Sequence, residues 1–204
     1  WQYLVQGGIA NAGQFLRFAG SLAGRATDWR EPVPLLRAGL YWPGMEQPTL
    51  DDVRQAWPPG RPVAAILFYR ALVQAANTET IDALIGALDA RGVNALPLFA
   101  AGLKEPAAVA MLAALMAEAQ PDVVVNMTGF ALSKPGDVGR PAPFDTTDAP
   151  VLQIVASQGD ADSWREGLFG LRPTDIAMNV ALPEIDGRVL AAAVEFKTAA
   201  RRDP

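Results

Sequence analysis

The sequence has 204 residues, of which 50% are hydrophobic, and it carries a formal net charge of −5 at pH 7 with no His and no Cys. Without these two residue types the chain contains no zinc finger, no disulfide, no thiol nucleophile and no Ser-His-Asp triad, so any metal must be held by oxygen ligands. The acidic charge argues against binding to a nucleic-acid backbone, and the length suffices for one large domain with its own core.

The two ends and the apolar runs set further expectations. The chain begins at Trp1 rather than Met and ends in Arg-Arg-Asp-Pro, so we interpret it as a piece of a longer polypeptide. No apolar run reaches the about 18 residues of a membrane span, and the start lacks the layout of a signal peptide. The absence of Cys is compatible with the cytoplasm, which is the location that we predict.

Residues 1–61 are predicted to form an N-terminal helix followed by an extended segment. The helix covers residues 9–26, and its apolar face comprises Phe15, Phe18, Ala19 and Leu22. Residues 32–62 hold seven of the 17 Pro residues, which favours an extended segment that wraps a neighbouring surface rather than a second core. We therefore predict a division of the chain into residues 1–61 and an α/β domain at 62–200.

Four short apolar runs recur at a spacing of about 30 residues, the size of a strand–helix–strand unit. They begin at Val63, Val93, Asp122 and Val151. They are continuous rather than alternating, which is typical of strands buried on both faces. Helices are predicted between the first three runs, one from Asn77 or Thr78 to Gly92 and one from Pro106 to Gln120. The predicted fold class is α/β, with a mostly parallel central sheet and flanking helices in three layers, as in flavodoxin-like or Rossmann-like folds.

The connection after the third run differs from the others. Residues 128–150 show no helical period and contain four Pro and three Gly. Long structureless connections are uncommon inside a compact domain. The segment is either an idle surface loop or a loop that faces a ligand, and the second is favoured because it leaves the carboxyl end of a parallel strand.

Three elements are predicted after the fourth run. They are a short helix at Asp162–Phe169, a strand at Ile176–Leu182 and an apolar edge strand around Val194–Phe196. Neither a P-loop nor a dinucleotide-binding glycine motif is present, because the sequence has no Gly-Lys pair and no G-x-G-x-x-G after the first strand.

Polar residues stand at the predicted carboxyl ends of the strands, where a parallel sheet would bring them to one crevice. They are Tyr69, Arg70, Lys104, Asn126, Thr128 and Ser157-Gln158. The guanidinium of Arg70 can bind a carboxylate or carboxamide through two hydrogen bonds, or pair with a nearby Asp. Asn126 and Asn179 interrupt apolar strands, and a buried amide must be hydrogen-bonded, so a structural bond to loop backbone explains both.

The stretch Met178–Gly187 ends a predicted buried strand at Pro183 and then places two carboxylates two residues apart. In an extended segment residues i and i+2 face the same side, so Glu184 and Asp186 can share one site. Such a pair suits a divalent ion, or removal of a proton from a pyrrole-type nitrogen. The alternative is a solvated acidic turn after a strand that ends at Pro.

Taken together, these stretches resemble the CobN/magnesium-chelatase large-subunit family, and within it the aerobic cobaltochelatase (CobN) branch. They cover roughly residues 30–197 in the family's order and comprise Pro62–Gln74, Asn77-Thr78, Asp82–Leu84, Ala90–Gly92, Leu103–Pro106, Asn126–Ala131, Pro150–Gln153 and Asn179–Gly187. The Gly39-x-Tyr41-x-Pro43 element also fits. The magnesium branch has a Ser-His pair where this chain has Ala71-Leu72 and a His where it has Trp42, so these departures favour cobalt.

The resemblance implies a segment of the large subunit of an ATP-dependent cobaltochelatase, which inserts Co²⁺ into the corrin macrocycle hydrogenobyrinic acid a,c-diamide. Co²⁺ is then a substrate, two AAA+-type partner subunits bind ATP, and the remainder of the large subunit is a further partner. The resemblance places Glu184 and Asp186 in catalysis, with Glu184 as a metal ligand. The implied substrate-binding residues are Tyr69, Arg70, Asn77, Lys104, Asn126, Thr128 and Gly129.

Three alternatives remain open from the sequence. One is a non-catalytic scaffold or docking domain of a chelatase large subunit. Another is a large subunit of the magnesium-chelatase type that acts on protoporphyrin IX. The third and weakest is a free-standing small-molecule sensor. Under any of them, we expect this chain alone to be catalytically inactive.

Overall fold

The computed structural model describes residues 1–131, 144, 146–168 and 170–197. In this part of the chain the strands form one sheet in the order β1-β3-β2-β4-β5-β6. Their bounds are β1 Ala38–Leu40, β2 Val63–Tyr69, β3 Asn94–Ala100, β4 Val123–Asn126, β5 Val151–Asp160 and β6 Val189–Lys197. The helices are α1 Gln2–Gln6, α2 Gly8–Leu22, α3 Leu50–Gln55, α4 Arg70–Gln74, α5 Glu79–Asp89, α6 Pro106–Ala119, α7 Ala161–Glu166, α8 Pro173–Ile176 and α9 Leu182–Glu184, with a π-helical turn at Ala177–Ala181 between the last two.

Strands β2 to β6 pair in parallel, and β1 pairs antiparallel with β3. The α/β fold class with a mostly parallel sheet is therefore confirmed. The four apolar runs form the strands β2 to β5. Successive side chains of a strand point to opposite faces of the sheet, and each face packs against its own hydrophobic cluster. Leu67 packs with α3 and α6 on one face of the sheet, whereas Ile66 and Phe68 pack with α5 on the other. Burial on both faces explains why these runs are continuous.

The predicted helix boundaries follow from their end residues. Helix α5 has Thr78 as its N-cap, and Gly92 lies beyond it with a φ of +74°, in the left-handed region that glycine favours. Helix α6 begins at Pro106 and ends at Ala119, and its C-cap Gln120 has a left-handed φ of +50°. A short helix, α7, forms where Asp162–Phe169 was predicted, but it ends at Glu166 because Gly167 is extended; Phe169 lies outside the described residues.

The predicted strand at 176–182 is wrong, because this segment is helical. It forms the end of α8, the π-helical turn and the start of α9, with proline in the first turns of α8 and α9. A short apolar run does not distinguish a strand from a helix by periodicity alone. Here the segment packs on the sheet rather than entering it, so its own residues are half-buried or exposed, and the buried residues Asp175 and Pro183 flank it.

The N-terminal region also differs in detail from its prediction. Helix α2 ends at Leu22 rather than at residue 26. Its predicted apolar face is only partly buried, because Leu22 is 74% exposed. Phe18 on this face packs edge-on against Trp29. The proline-rich segment contributes β1 to the sheet and α3 to the core that contains Leu98. The division at residues 61 and 62 stays a prediction. Most of the predicted long loop lies outside the described residues.

None of the helices in the described ranges combines the length and the apolar character that a membrane span needs.

Helix α3 offers a test of pH dependence at its N-terminus. Thr49 and Asp52 form a capping box, and the hydrogen bonds from Thr49 hold the pKa of Asp52 below its usual value. A lowered carboxyl pKa adds stability above the unfolded-state pKa, and that stability is lost as the pH falls through the folded-state pKa. We therefore expect Asp52→Asn to destabilise the chain near neutral pH and the difference to shrink in acid. Urea unfolding from about pH 7 to about pH 3, the range in which carboxylates titrate, measures this. A difference independent of pH would contradict it.

Candidate functional site

A buried polar cluster joins β4 and β5 at the carboxyl edge of the sheet. Asn126, the last residue of β4, donates from Nδ2 to the Gln153 Oε1 (2.7 Å) and to the Thr128 carbonyl (3.0 Å), and its Oδ1 accepts from the Thr128 hydroxyl (2.8 Å). Gln153 donates to the same Thr128 carbonyl (3.2 Å). All three residues are buried. The sequence prediction of a structural role for the Asn126 amide agrees with these bonds, although its assignment to substrate binding stays a prediction.

The loop after β4 packs closely against the π-helical turn. A Cβ on Gly129 would lie 3.1 Å from the Asn179 Oδ1 and 3.2 Å from the Met178 carbonyl oxygen, so a side chain here would force its neighbours to move slightly. The Phe130 N–H donates to the Met178 carbonyl (2.8 Å), and the Tyr69 hydroxyl donates to the Gly129 carbonyl (3.2 Å). Burial raises the pKa of Tyr69. Tyr69, Thr128 and Gly129, three of the predicted substrate-binding residues, are thus brought together.

A buried arginine completes the cluster. The Arg188 side chain is fully buried; its Nη2 donates to the Asp186 Oδ2 (2.9 Å) and its Nη1 to the Thr128 carbonyl (3.3 Å) and the Gln153 Oε1 (3.4 Å). Its guanidinium carbon lies 5.6 Å from the Phe144 ring centroid. Burial lowers the pKa of Arg188, and Asp186 opposes that shift. The charge pair holds Asp186 against the sheet.

Beside the cluster lies a cavity of about 370 Å³. It is lined by Gln153, Asn179, Val180, Glu184, Gly187, Arg188, Val189 and Leu190. Glu184 is exposed at this cavity, and its carboxylate makes no hydrogen bond or ion pair with any described residue. The cavity therefore has a buried polar floor and one unpaired acidic group.

The two predicted acidic residues occupy different surroundings. The expectation that Glu184 and Asp186 face the same side assumed an extended backbone, and that premise is wrong because Glu184 ends helix α9 and Asp186 lies in the turn that follows. Asp186 pairs with Arg188, whereas Glu184 borders the cavity. Across the described ranges no group of three or more acidic residues could hold a metal ion, so Glu184 offers a single oxygen-ligand group.

The remaining predicted site residues lie elsewhere. Arg70 donates to the carbonyl oxygens of Leu35 and Leu36 and to the Gln74 Oε1, so it anchors the proline-rich segment instead of pairing with an Asp. Burial lowers its pKa. Lys104 and Asn77 are exposed, and Lys104 follows β3, which β2 separates from β4. Their substrate-binding roles stay predictions.

Sequence reasoning missed three polar residues. Gln153 and Arg188 belong to the cluster, and Asp175 accepts from the buried Ser157 hydroxyl at 2.6 Å. A Gln inside an apolar strand was a usable signal for Gln153. Arg188 stood beside a predicted turn, where a charged residue is ordinarily solvated, so nothing in the sequence marked it as buried.

Several known proteins are similar to this chain in sequence and in fold. The family model described as CobN/Magnesium Chelatase matches residues 1–204. Aerobic cobaltochelatase subunits CobN from Sinorhizobium sp. and Pseudomonas aeruginosa are each 44% identical, over 100% and 99% of this chain and 16% of each relative. A magnesium-chelatase subunit from Rhodobacter capsulatus is 32% identical over 91% of this chain and 16% of its own length.

A solved structure shares the fold. The catalytic subunit of cobaltochelatase from Mycobacterium tuberculosis superimposes with a TM-score of 0.73 at 26% identity, over 98% of this chain and 16% of that chain. The chain thus spans about 16% of the length of the relatives that it matches. Since the family model matches along all 204 residues, this chain belongs to the CobN/magnesium-chelatase family, as the resemblance in its sequence predicted.

Proposed function

We propose that this chain forms part of the macrocycle and metal site of an ATP-dependent cobaltochelatase, which inserts Co²⁺ into hydrogenobyrinic acid a,c-diamide. The observation that carries the proposal is the unpaired carboxylate of Glu184 at a cavity with a buried polar floor. The 44% identity to two CobN subunits over nearly the whole chain supports this branch of the family. The 32% identity to a magnesium-chelatase subunit is the weaker match, so cobalt is preferred over magnesium and protoporphyrin IX.

Metal insertion needs chemistry that a carboxylate can supply. Two pyrrole-type protons must leave the macrocycle, and an aquated cation must lose water before metal–nitrogen bonds form. Glu184 accepts a proton or holds the cation briefly, because a single carboxylate binds Co²⁺ weakly enough to release it. Asp186 is paired with Arg188 and therefore supports the turn instead of binding the metal.

The other parts of the reaction come from outside this chain. A corrin macrocycle is larger than a cavity of about 370 Å³, so the remainder of the large subunit supplies the other walls of its site. AAA+-type partner subunits bind ATP and drive a conformational change that completes insertion. The reaction takes place in the cytoplasm.

A second candidate is a scaffold domain that docks other parts of the subunit and contacts neither metal nor macrocycle. The observation in its favour is the set of exposed apolar side chains on α1 and α2. Leu4, Ile9, Leu16 and Leu22 are each more than half exposed. An apolar surface of this kind is typical of a protein interface.

The variant Glu184→Gln of the full-length subunit distinguishes the chelatase-site proposal from the scaffold. Its rate of cobalt insertion is the quantity to measure. The assay includes the partner subunits, ATP and the corrin substrate, and macrocycle binding is followed by tryptophan fluorescence. Slow insertion with preserved binding supports the proposal. Normal insertion with normal binding would leave only the scaffold.

A further inference from the structure

Residues 178–188, which we call the Glu184 segment, are attached to the loop after β4 at two places. One attachment precedes Glu184 in the chain and the other follows it. On the N-terminal side the Phe130 N–H donates to the Met178 carbonyl (2.8 Å), and Gly129 lies so close to Asn179 that a Cβ would meet its Oδ1 at 3.1 Å. Phe130 adopts a left-handed φ of +66°, which is unfavourable for a residue with a side chain. This first attachment fixes the π-helical turn on the loop.

On the C-terminal side the attachment is made by Arg188. Its guanidinium bonds to Asp186 in the acidic turn, to the carbonyl of Thr128 in the loop and to Gln153 in β5. One side chain therefore connects the turn after Glu184 to the loop and to a strand of the sheet. Because Thr128 and Gly129 are adjacent in the chain, both attachments hold the Glu184 segment to the same short loop.

We expect Arg188 to matter more for the position of the turn after Glu184 than for the free energy of unfolding. Its side chain is fully buried, and its Nε–H has no hydrogen-bond partner among the described atoms. Burying an ion pair costs desolvation of both charges, and the pair is often no more stabilising than apolar residues of the same volume. The hydrogen bonds of Arg188 are directional and reach three separate segments, so they fix the position of the turn at residues 185–187 relative to the sheet.

We propose that Arg188 is a positioning residue for metal insertion, which fixes the carboxylate of Glu184 at the cavity by holding the turn that follows it. The inference rests on the proposed role of Glu184. Arg188 borders the cavity, but its side chain is fully buried and its guanidinium is bonded to Asp186, Thr128 and Gln153, so the inference gives it a positioning role and no contact with the macrocycle. Its effect passes through the backbone of residues 184–188.

The test uses the full-length large subunit with its ATPase partners, Co²⁺ and hydrogenobyrinic acid a,c-diamide. We expect Arg188→Met to lower kcat for insertion by roughly 10- to 100-fold, on the order of the loss that misplacing a catalytic group by about 1 Å causes, with macrocycle affinity unchanged. Arg188→Lys keeps a charge beside Asp186 and should recover part of kcat. The matched control is Arg165→Met, because Arg165 forms an exposed ion pair with Asp162 away from the cavity.

A double variant separates positioning from general destabilisation. If Arg188 acts through Glu184, the variant Glu184→Gln/Arg188→Met is no slower than Glu184→Gln alone, since the group to be positioned is already gone. Losses that multiply would overturn the inference. If Arg188→Met does not fold, the same cycle is made with Arg188→Lys and with Gly129→Ala, which disturbs the other attachment.

Failure of this inference is distinct from failure of the proposed function. Normal insertion by Glu184→Gln would remove the proposed role of Glu184 and with it the basis for Arg188. Slow insertion by Glu184→Gln together with normal kcat for the Arg188 variants would leave the proposed function in place and overturn the positioning role.

Discussion

The full-length subunit carrying Glu184→Gln is expected to insert cobalt about 100-fold more slowly than the unchanged subunit, a typical loss for a group that transfers a proton in the transition state. Glutamine keeps the size of the side chain but neither accepts a proton at neutral pH nor carries a negative charge for the cation. Since Glu184 is exposed, the change removes no hydrogen bond or ion pair between its side chain and the residues that the structure describes. Macrocycle affinity and thermal stability should therefore stay the same.

The dependence on cobalt concentration distinguishes the two roles that the carboxylate can have. A proton acceptor lost at Glu184 lowers kcat at every cobalt concentration, whereas a lost cation ligand raises KM for cobalt and is partly overcome by more metal. Glu166→Gln is the matched control, because Glu166 is an exposed glutamate at the end of α7 and does not border the cavity. Equal rates for the two variants would contradict a chemical role for Glu184.

The central sheet was predictable from the sequence because its strands are buried on both faces. Runs such as the one beginning at Val63 need apolar residues at every position, and Gly92 and Pro106 mark helix ends by their backbone geometry. The segment 176–182 carries the same kind of apolar run, and its helix-start marker, Pro173, lies three residues before it. The Met178 carbonyl in its π-helical turn accepts a hydrogen bond from the Phe130 N–H, a contact between residues distant in sequence that local periodicity does not encode.

The candidate site was predictable only in part, because some of its contacts join residues that are far apart in the sequence. Topology brings the carboxyl ends of β2 and β4 together, so Tyr69, Asn126 and Thr128 could be placed near one another before the structure was known. The separate surroundings of Glu184 and Asp186 depend on a helix end and on a buried arginine. The burial of that arginine is not encoded by local periodicity, because it arises from contacts with residues 60 and 35 positions away in the chain.

The same polar cluster accounts for the largest stability change that we expect. Replacing Asn126 by Leu should lower the free energy of unfolding of the 204-residue chain by about 3 kcal/mol, because several buried polar groups lose their partner at once. The N–H and hydroxyl of Thr128 lose Asn126 as their acceptor, and the Oε1 of Gln153 loses one donor while it keeps Arg188. Leucine fills a similar volume, so the loss reports unsatisfied hydrogen bonds rather than a cavity.

Asn94→Leu provides the comparison that isolates this effect. Asn94 is also a buried asparagine, at the start of β3, but among the described residues its side chain makes one hydrogen bond, from Nδ2 to the Pro58 carbonyl at 3.2 Å. Removing it should cost about 1 kcal/mol, the usual value for one hydrogen bond. Urea unfolding of the two variants and the unchanged chain measures both losses from the shift in midpoint at constant slope. Equal losses would mean that the Asn126 network stabilises the fold no more than a single bond does.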